Sequence, residues 1–153
     1  MLKAGLINRI SGRIKKANAN NRGTIIVISQ QGKKDNLVGK IIRKLTITDK
    51  MNVVIFVYTS IYAVMEDIKS YIANIRKSAP ATKIWLGTND KNWDEKEIKQ
   101  ATAEFLSANK FRLNCIILDN LRITYGKHQP PIFNQLRTLS EKLKIPFVII
   151  PHK

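Results

Sequence analysis

The sequence predicts an α/β chain: a three-layer α/β/α sandwich around a mainly parallel five-stranded sheet, preceded by a basic N-terminal helix. Five apolar, β-branched runs recur along the 153 residues. They lack the alternation of a half-exposed sheet, so both of their faces are to be covered. Between them lie stretches with helical apolar spacing, which parallel strands need as crossover connections.

The elements follow in order. Residues 2–16 put Leu2, Leu6, Ile7, Ile10 and Ile14 on one helical face, with Lys3, Arg9, Arg13, Lys15 and Lys16 on the others. The polar run 17–23 ends that helix, so residues 1–22 read as a basic amphipathic helix and linker and residues 23–153 as the α/β domain. A strand is expected at 24–29, a polar loop next, then a helix near 36–45 that contains Gly39 and Lys40. Residues 52–58 form the second strand. Ser60 is a plausible N-cap for a helix to about Lys77, stopped before Pro80. Residues 83–86 form a short third strand. Asn92 and Glu95 have capping-box spacing and open a helix to about Asn109. Residues 114–118 are the fourth strand, 131–143 a helix and 145–150 the fifth strand. Right-handed crossovers then cover both faces of the sheet.

Charge is the strongest compositional fact. The chain carries 27 basic and 11 acidic residues, for a net charge of +16. The excess concentrates in residues 1–50, with 12 basic and 2 acidic side chains. Such a field attracts polyanions, nucleic acid first among them. An acidic protein surface, ribosome-like RNA or an anionic membrane are the other takers. No apolar run approaches the ~20 residues of a membrane span, and the start lacks the pattern of a signal peptide. A single cysteine, Cys115, excludes a disulfide framework and argues against a metal cluster. An intracellular protein is expected, and the Lys/Ile/Asn-rich composition resembles that of AT-rich viral or plasmid genomes.

The chemistry-bearing segments sit at strand ends. The run 114–118 leads into Asp119, and the run 145–150 leads into Pro151 and His152. Ligands of open α/β sheets bind outside such carboxyl ends. Cys115-Ile116-Ile117-Leu118-Asp119-Asn120-Leu121-Arg122 resembles the Walker B strand of the RecA-like ATPase core, most closely that of hexameric replicative helicases of the DnaB and phage primase-helicase type. The segment 145–152 resembles the sensor strand that follows it. The resemblance spans residues 23–153 and is most specific in the last third. It implies a first strand leading to a phosphate loop, Asp119 as the Walker B acid and His152 as the γ-phosphate sensor.

The phosphate loop itself departs from that pattern. Such a loop needs glycines, a lysine and then a hydroxyl residue. The matching stretch reads Ile28-Ser29-Gln30-Gln31-Gly32-Lys33-Lys34-Asp35-Asn36-Leu37. Aligning Gly32 on a loop glycine puts Asp35 near the expected lysine, where it repels phosphate. Aligning Gly32 and Lys33 on the Gly-Lys pair leaves Lys34 in place of the hydroxyl. No glutamate follows the second strand. The expectation is therefore a degenerate core, with Gly32, Asp119 and His152 as a vestigial nucleotide site. No cofactor is expected, and ATP with Mg²⁺ only if the atypical loop functions.

Each residue has a plainer reading beside this one. Asp119 serves equally to cap a loop or pair with Arg122, and His152 to sit in solvent. Lys33 and Lys34 hold a phosphate or line a solvated loop. Tyr125, in a basic segment with Arg122 and Lys127, is the best aromatic for stacking on bases. Tyr58, Tyr62, Trp93 and Phe133 are the others, with core packing the default for the last two. In the resembled family, loops after the Walker B strand face a central channel that holds DNA, and a helix before the core docks on a neighbouring subunit.

Three functions follow. The first is a non-enzymatic nucleic-acid-binding module of DNA replication or recombination, using Lys3, Arg9, Arg13, Lys15, Lys16, Arg22, Lys33, Lys34, Arg122, Tyr125 and Lys127. The second is an interaction protein that docks on a helicase or recombinase through the N-terminal helix, with a homo-oligomer as a variant. The third is an enzyme: an ATPase with an unusual loop, or a metal-dependent nuclease built on Asp119 and Asp90.

Overall fold

The computed structural model of the chain describes residues 2–28, 37–57, 62–78, 84–88, 95–108, 112–121 and 131–151. Helix α1 spans Leu2–Ala19 and strand β1 Ile25–Val27. Helix α2 (Leu37–Arg43) continues as a π-helical turn, Lys44–Thr48, and leads to β2 (Val53–Val57). There follow α3 (Tyr62–Ser78), β3 (Ile84–Thr88), α4 (Glu95–Ala108), β4 (Cys115–Leu121), α5 (Pro131–Leu143) and β5 (Phe147–Pro151). The α/β alternation and the parallel sheet are as the sequence predicts. The expected capping residues Ser60 and Asn92 lie outside the described residues.

The sheet order is β1-β5-β4-β2-β3, and every neighbouring pair is parallel. The chain therefore moves outward from β1 to β2 to β3, then returns to β4 and β5. Crossovers of one hand require the outward connections on one face and the returning ones on the other. The packing follows that rule. Ile41, Ile42 and Leu45 from α2 and the π turn, and Ile72 and Ile75 from α3, share one core cluster with Ile26, Val53, Ile55, Cys115, Ile117 and Val148. Ile98 and Phe105 of α4, and Leu136 and Leu139 of α5, pack on the opposite sheet face against Val54, Phe56, Ile116, Leu118, Phe147 and Ile149. Along β2, β4 and β5 the side chains alternate between the two clusters, so both faces are dry there, hence the unbroken apolar runs.

Helix α1 belongs to the first cluster. Ile10 and Ile14 are buried in it, and Leu6 and Ile7 pack against it. From Leu6 to Ile14 the apolar stripe read from the sequence is thus turned into the chain's own core; the Leu2 side chain lies outside the described residues. Three helical segments end on a residue with positive φ: α1 at Asn21, the π turn at Lys50 and α5 at Lys144. After α1, the Arg22 amide donates to the Ala17 carbonyl and the Asn21 amide to that of Asn18, which satisfies carbonyls left open by the helix end. The π turn is unforeseen by the apolar spacing. In it the buried Thr46 hydroxyl donates to the Ile42 carbonyl at 2.7 Å, a back-bond that distorts helices.

Two boundaries need correction. β4 continues past 118 to Leu121, with a register shift against β5 between Asp119 and Leu121. Asp119 therefore lies inside a ladder, beside an irregularity, rather than just beyond the strand. Helix α1 extends beyond 16 to Ala19.

Candidate nucleic-acid interface

Strand register builds the carboxyl edge of the sheet. Asp119 pairs with Val57 on one side and Ile150 on the other, and Val57 pairs with Thr88. The Ile28 amide donates to the Ile149 carbonyl at 2.9 Å, so the chain leaves β1 at the same level. With strands about 4.8 Å apart, Ile28 and Asp119 stand roughly 10 Å apart across β5. Asp119 is 8% exposed. It follows Leu118, whose side chain lies on the α4–α5 side, so strand alternation turns Asp119 to the α1–α2 side. The carboxyl ends of β1, β5 and β4 thus lie side by side along one edge of the sheet; residues 29–36 lie outside the described residues. Gly32, Lys33, Lys34, Asp90, Arg122, Tyr125, Lys127 and His152 lie outside the described residues, as do Tyr58 and Trp93. Phe133 is half-buried against the α4–α5 core.

The charged residues divide by face. The helical segments on the α1 side (α1, α2, the π turn and α3) carry eleven basic and two acidic residues. Helices α4 and α5 on the other side carry four of each. On α1, Arg9, Arg13 and Lys16 are all exposed. Their spacing of four and three residues brings them onto one stripe. Among the described residues no acid pairs with any of them. Arg22, just past the helix end, is exposed too. Lys3 lies in α1, its side chain outside the described residues.

Lys15 behaves differently. Its ammonium sits 3.0 Å from the Asp49 carboxylate, which Lys44 approaches at 3.4 Å and to which the buried Ser11 hydroxyl donates. Burial pushes the Asp49 carboxyl up, but the hydrogen bonds from Ser11, Lys15 and Lys44 and the Lys44 charge outweigh it and hold it below the ordinary carboxylate range. This clamp ties α1 to the π turn. A second tie forms where β2 and β4 begin. The Asn18 side-chain amide donates to the Asn114 carbonyl, the Asn114 side chain accepts from the Asn52 amide at 2.9 Å, and the Arg112 guanidinium donates to the Asn18 carbonyl at 2.7 Å. Arg112 thereby covers a carbonyl at the negative end of α1.

Sequence reasoning missed Lys40 and Arg43 as members of the basic side. Both are exposed, three residues apart on α2. The signal was available, since 36–45 contains no acid and three basic residues. Among the described residues no group of three metal-ligating side chains comes together, and no helix is long and apolar enough to cross a membrane. No protein-family model matches the chain, and no curated protein matches it.

Proposed function

We propose that this chain is a non-catalytic nucleic-acid-binding protein, acting in DNA replication or recombination. Its core is read as a degenerate RecA-like (helicase-like) fold, a three-layer sandwich on a five-stranded sheet. One observation carries the binding reading: Arg9, Arg13 and Lys16 stand in solvent on a helix whose apolar stripe is already buried under them. A helix that kept its apolar stripe for a partner would favour the rival reading, docking on a helicase or recombinase; burial of Ile10 and Ile14 in the chain's own core favours nucleic acid.

The mechanism is electrostatic. Each lysine or arginine that neutralises a phosphate releases condensed counterions, so the affinity falls steeply with salt, by about 0.9 in the log–log slope per contact on duplex DNA. Lys3, Arg22, Lys33, Lys34, Arg122 and Lys127 add to that charge, Tyr125 offers a stacking surface, and Lys15 shares its charge with Asp49. Support for a RecA-like ancestry is the order β1-β5-β4, which sets the end of β1 one strand away from Asp119 across β5. Asp35 in place of the loop lysine supports loss of hydrolysis, leaving Gly32, Asp119 and His152 as remnants.

Fluorescence anisotropy with labelled DNA and RNA at two salt concentrations, with and without ATP and Mg²⁺, tests the proposal. Salt-sensitive binding that ignores ATP supports it. Binding that needs ATP restores a working phosphate loop and removes the degenerate-core reading. No binding to any strand sends the function to a protein partner.

A further inference from the structure

We infer that the nucleic acid is duplex DNA, gripped by its phosphates on the α1 side of the sheet, with Arg9, Arg13 and Lys16 spanning the two backbones that border a major groove. The inference rests on the nucleic-acid reading above and adds to it the face, the strandedness and the mode.

The face follows from charge. Eleven basic residues against two acidic ones lie on the helical segments of the α1 side, and four against four on the other. Asp49 has a nearly buried side chain between Lys15 and Lys44, and Glu66 lies 3.7 Å from Lys69. Asp49 and Glu66 thus add little repulsion toward an approaching polyanion, and Asp67, the other acid of α3, stands against eleven basic residues. Arg9, Arg13, Lys16, Lys40 and Arg43 are exposed on this side.

Strandedness follows from what the segments bearing Arg9, Arg13, Lys16, Lys40 and Arg43 lack. α1, α2 and the π turn contain no aromatic residue; the two on the helices of this side, Tyr62 and Tyr71, belong to α3. Proteins that hold single strands stack bases on aromatic rings. Cationic segments without such rings gain most from the ligand with the densest phosphates. Duplex DNA carries one charge per roughly 1.7 Å of axis.

The mode follows from dimensions. Seven residues separate Arg9 from Lys16, about 10.5 Å along a helix. The major groove of B-DNA is about 12 Å wide, whereas that of A-form RNA is deep and narrow. Arginine and lysine reaching outward from either end of that span can meet phosphates on both rims. Phosphate contacts carry no base information, so binding is sequence-independent.

The test compares the full chain on labelled duplex DNA of random sequence, single-stranded DNA and duplex RNA of equal length, across a salt series. Duplex DNA is expected to bind tightest. In Arg9→Gln/Arg13→Gln/Lys16→Gln, the slope of log affinity against log salt should fall by about 2.7, three contacts at about 0.9 each. Arg13→Gln alone should remove about 0.9 and guards against a folding defect in the triple variant. Lys96→Gln/Lys99→Gln, on α4, should leave the slope unchanged. Tighter binding of single strands or duplex RNA overturns the inference while leaving nucleic-acid binding intact, as does an equal loss in the α4 variant. Absence of all binding at low salt removes the inference together with the reading beneath it.

Discussion

Asp49 is the residue on which the attachment of α1 turns, and its removal has a predictable size. The side chain is 3% exposed and meets Lys15, Lys44 and the Ser11 hydroxyl. In Asp49→Ala the Ser11 hydroxyl, at a residue only 2% exposed, loses its acceptor, which costs about 1–3 kcal/mol. The lower end applies if the hydroxyl turns to a carbonyl of its own helix. The Lys15 pair adds little, about 0–1 kcal/mol, because Lys15 is 55% exposed. Lys44 is 25% exposed and adds about 1 kcal/mol at most. The total is about 1–5 kcal/mol, and the order of loss should be Asp49→Ala, then Ser11→Ala, then Lys15→Ala. Urea denaturation followed by circular dichroism measures it. The native carboxyl titrates below its ordinary range, so its contribution is complete above the unfolded value near pH 4 and vanishes as pH falls through the native value. The gap between wild type and Asp49→Ala should be flat from about pH 5 to 7 and close in stronger acid. A Lys15→Ala loss equal to that of Asp49→Ala, or an Asp49→Ala loss below about 0.5 kcal/mol, refutes the clamp.

Other perturbations probe the same architecture. A Cβ on Gly23 would stand 2.0 Å from the Ser140 carbonyl oxygen and 2.2 Å from its carbon, so Gly23→Ala must displace backbone and should cost about 3 kcal/mol or more in a urea titration; a near-neutral result would mean that the β1 entry does not press on α5. Ile14 is fully buried, and Ile14→Ala should cost about 2–5 kcal/mol; a loss under about 1 kcal/mol would show α1 to be a detachable arm rather than part of the core. Burial pushes the Cys115 thiol well above its usual range, so thiol reagents should label it only as fast as the protein opens, and rapid labelling of the native chain would contradict its place in the sheet.

What the sequence determined by itself is periodic or local. The stripe of Leu6, Ile7, Ile10 and Ile14 declares α1 because side chains three and four apart share a helical face. The dry runs around Ile55, Ile117 and Val148 declare strands covered twice. The net charge needs no coordinates. Tertiary structure alone decided what depends on distant partners. The order β1-β5-β4-β2-β3 is set by crossover hand and packing, and it places Ile28 across β5 from Asp119 and gathers α1 and α2 on one face. Asp49 finds its partner Ser11 38 positions away. Asn18 meets Asn114 across 96 positions, and Gly23 is confined by Ser140. Spacing in a sequence encodes which residues share a face of one element, whereas which faces meet is settled only when the chain closes on itself and each buried polar group must find a partner.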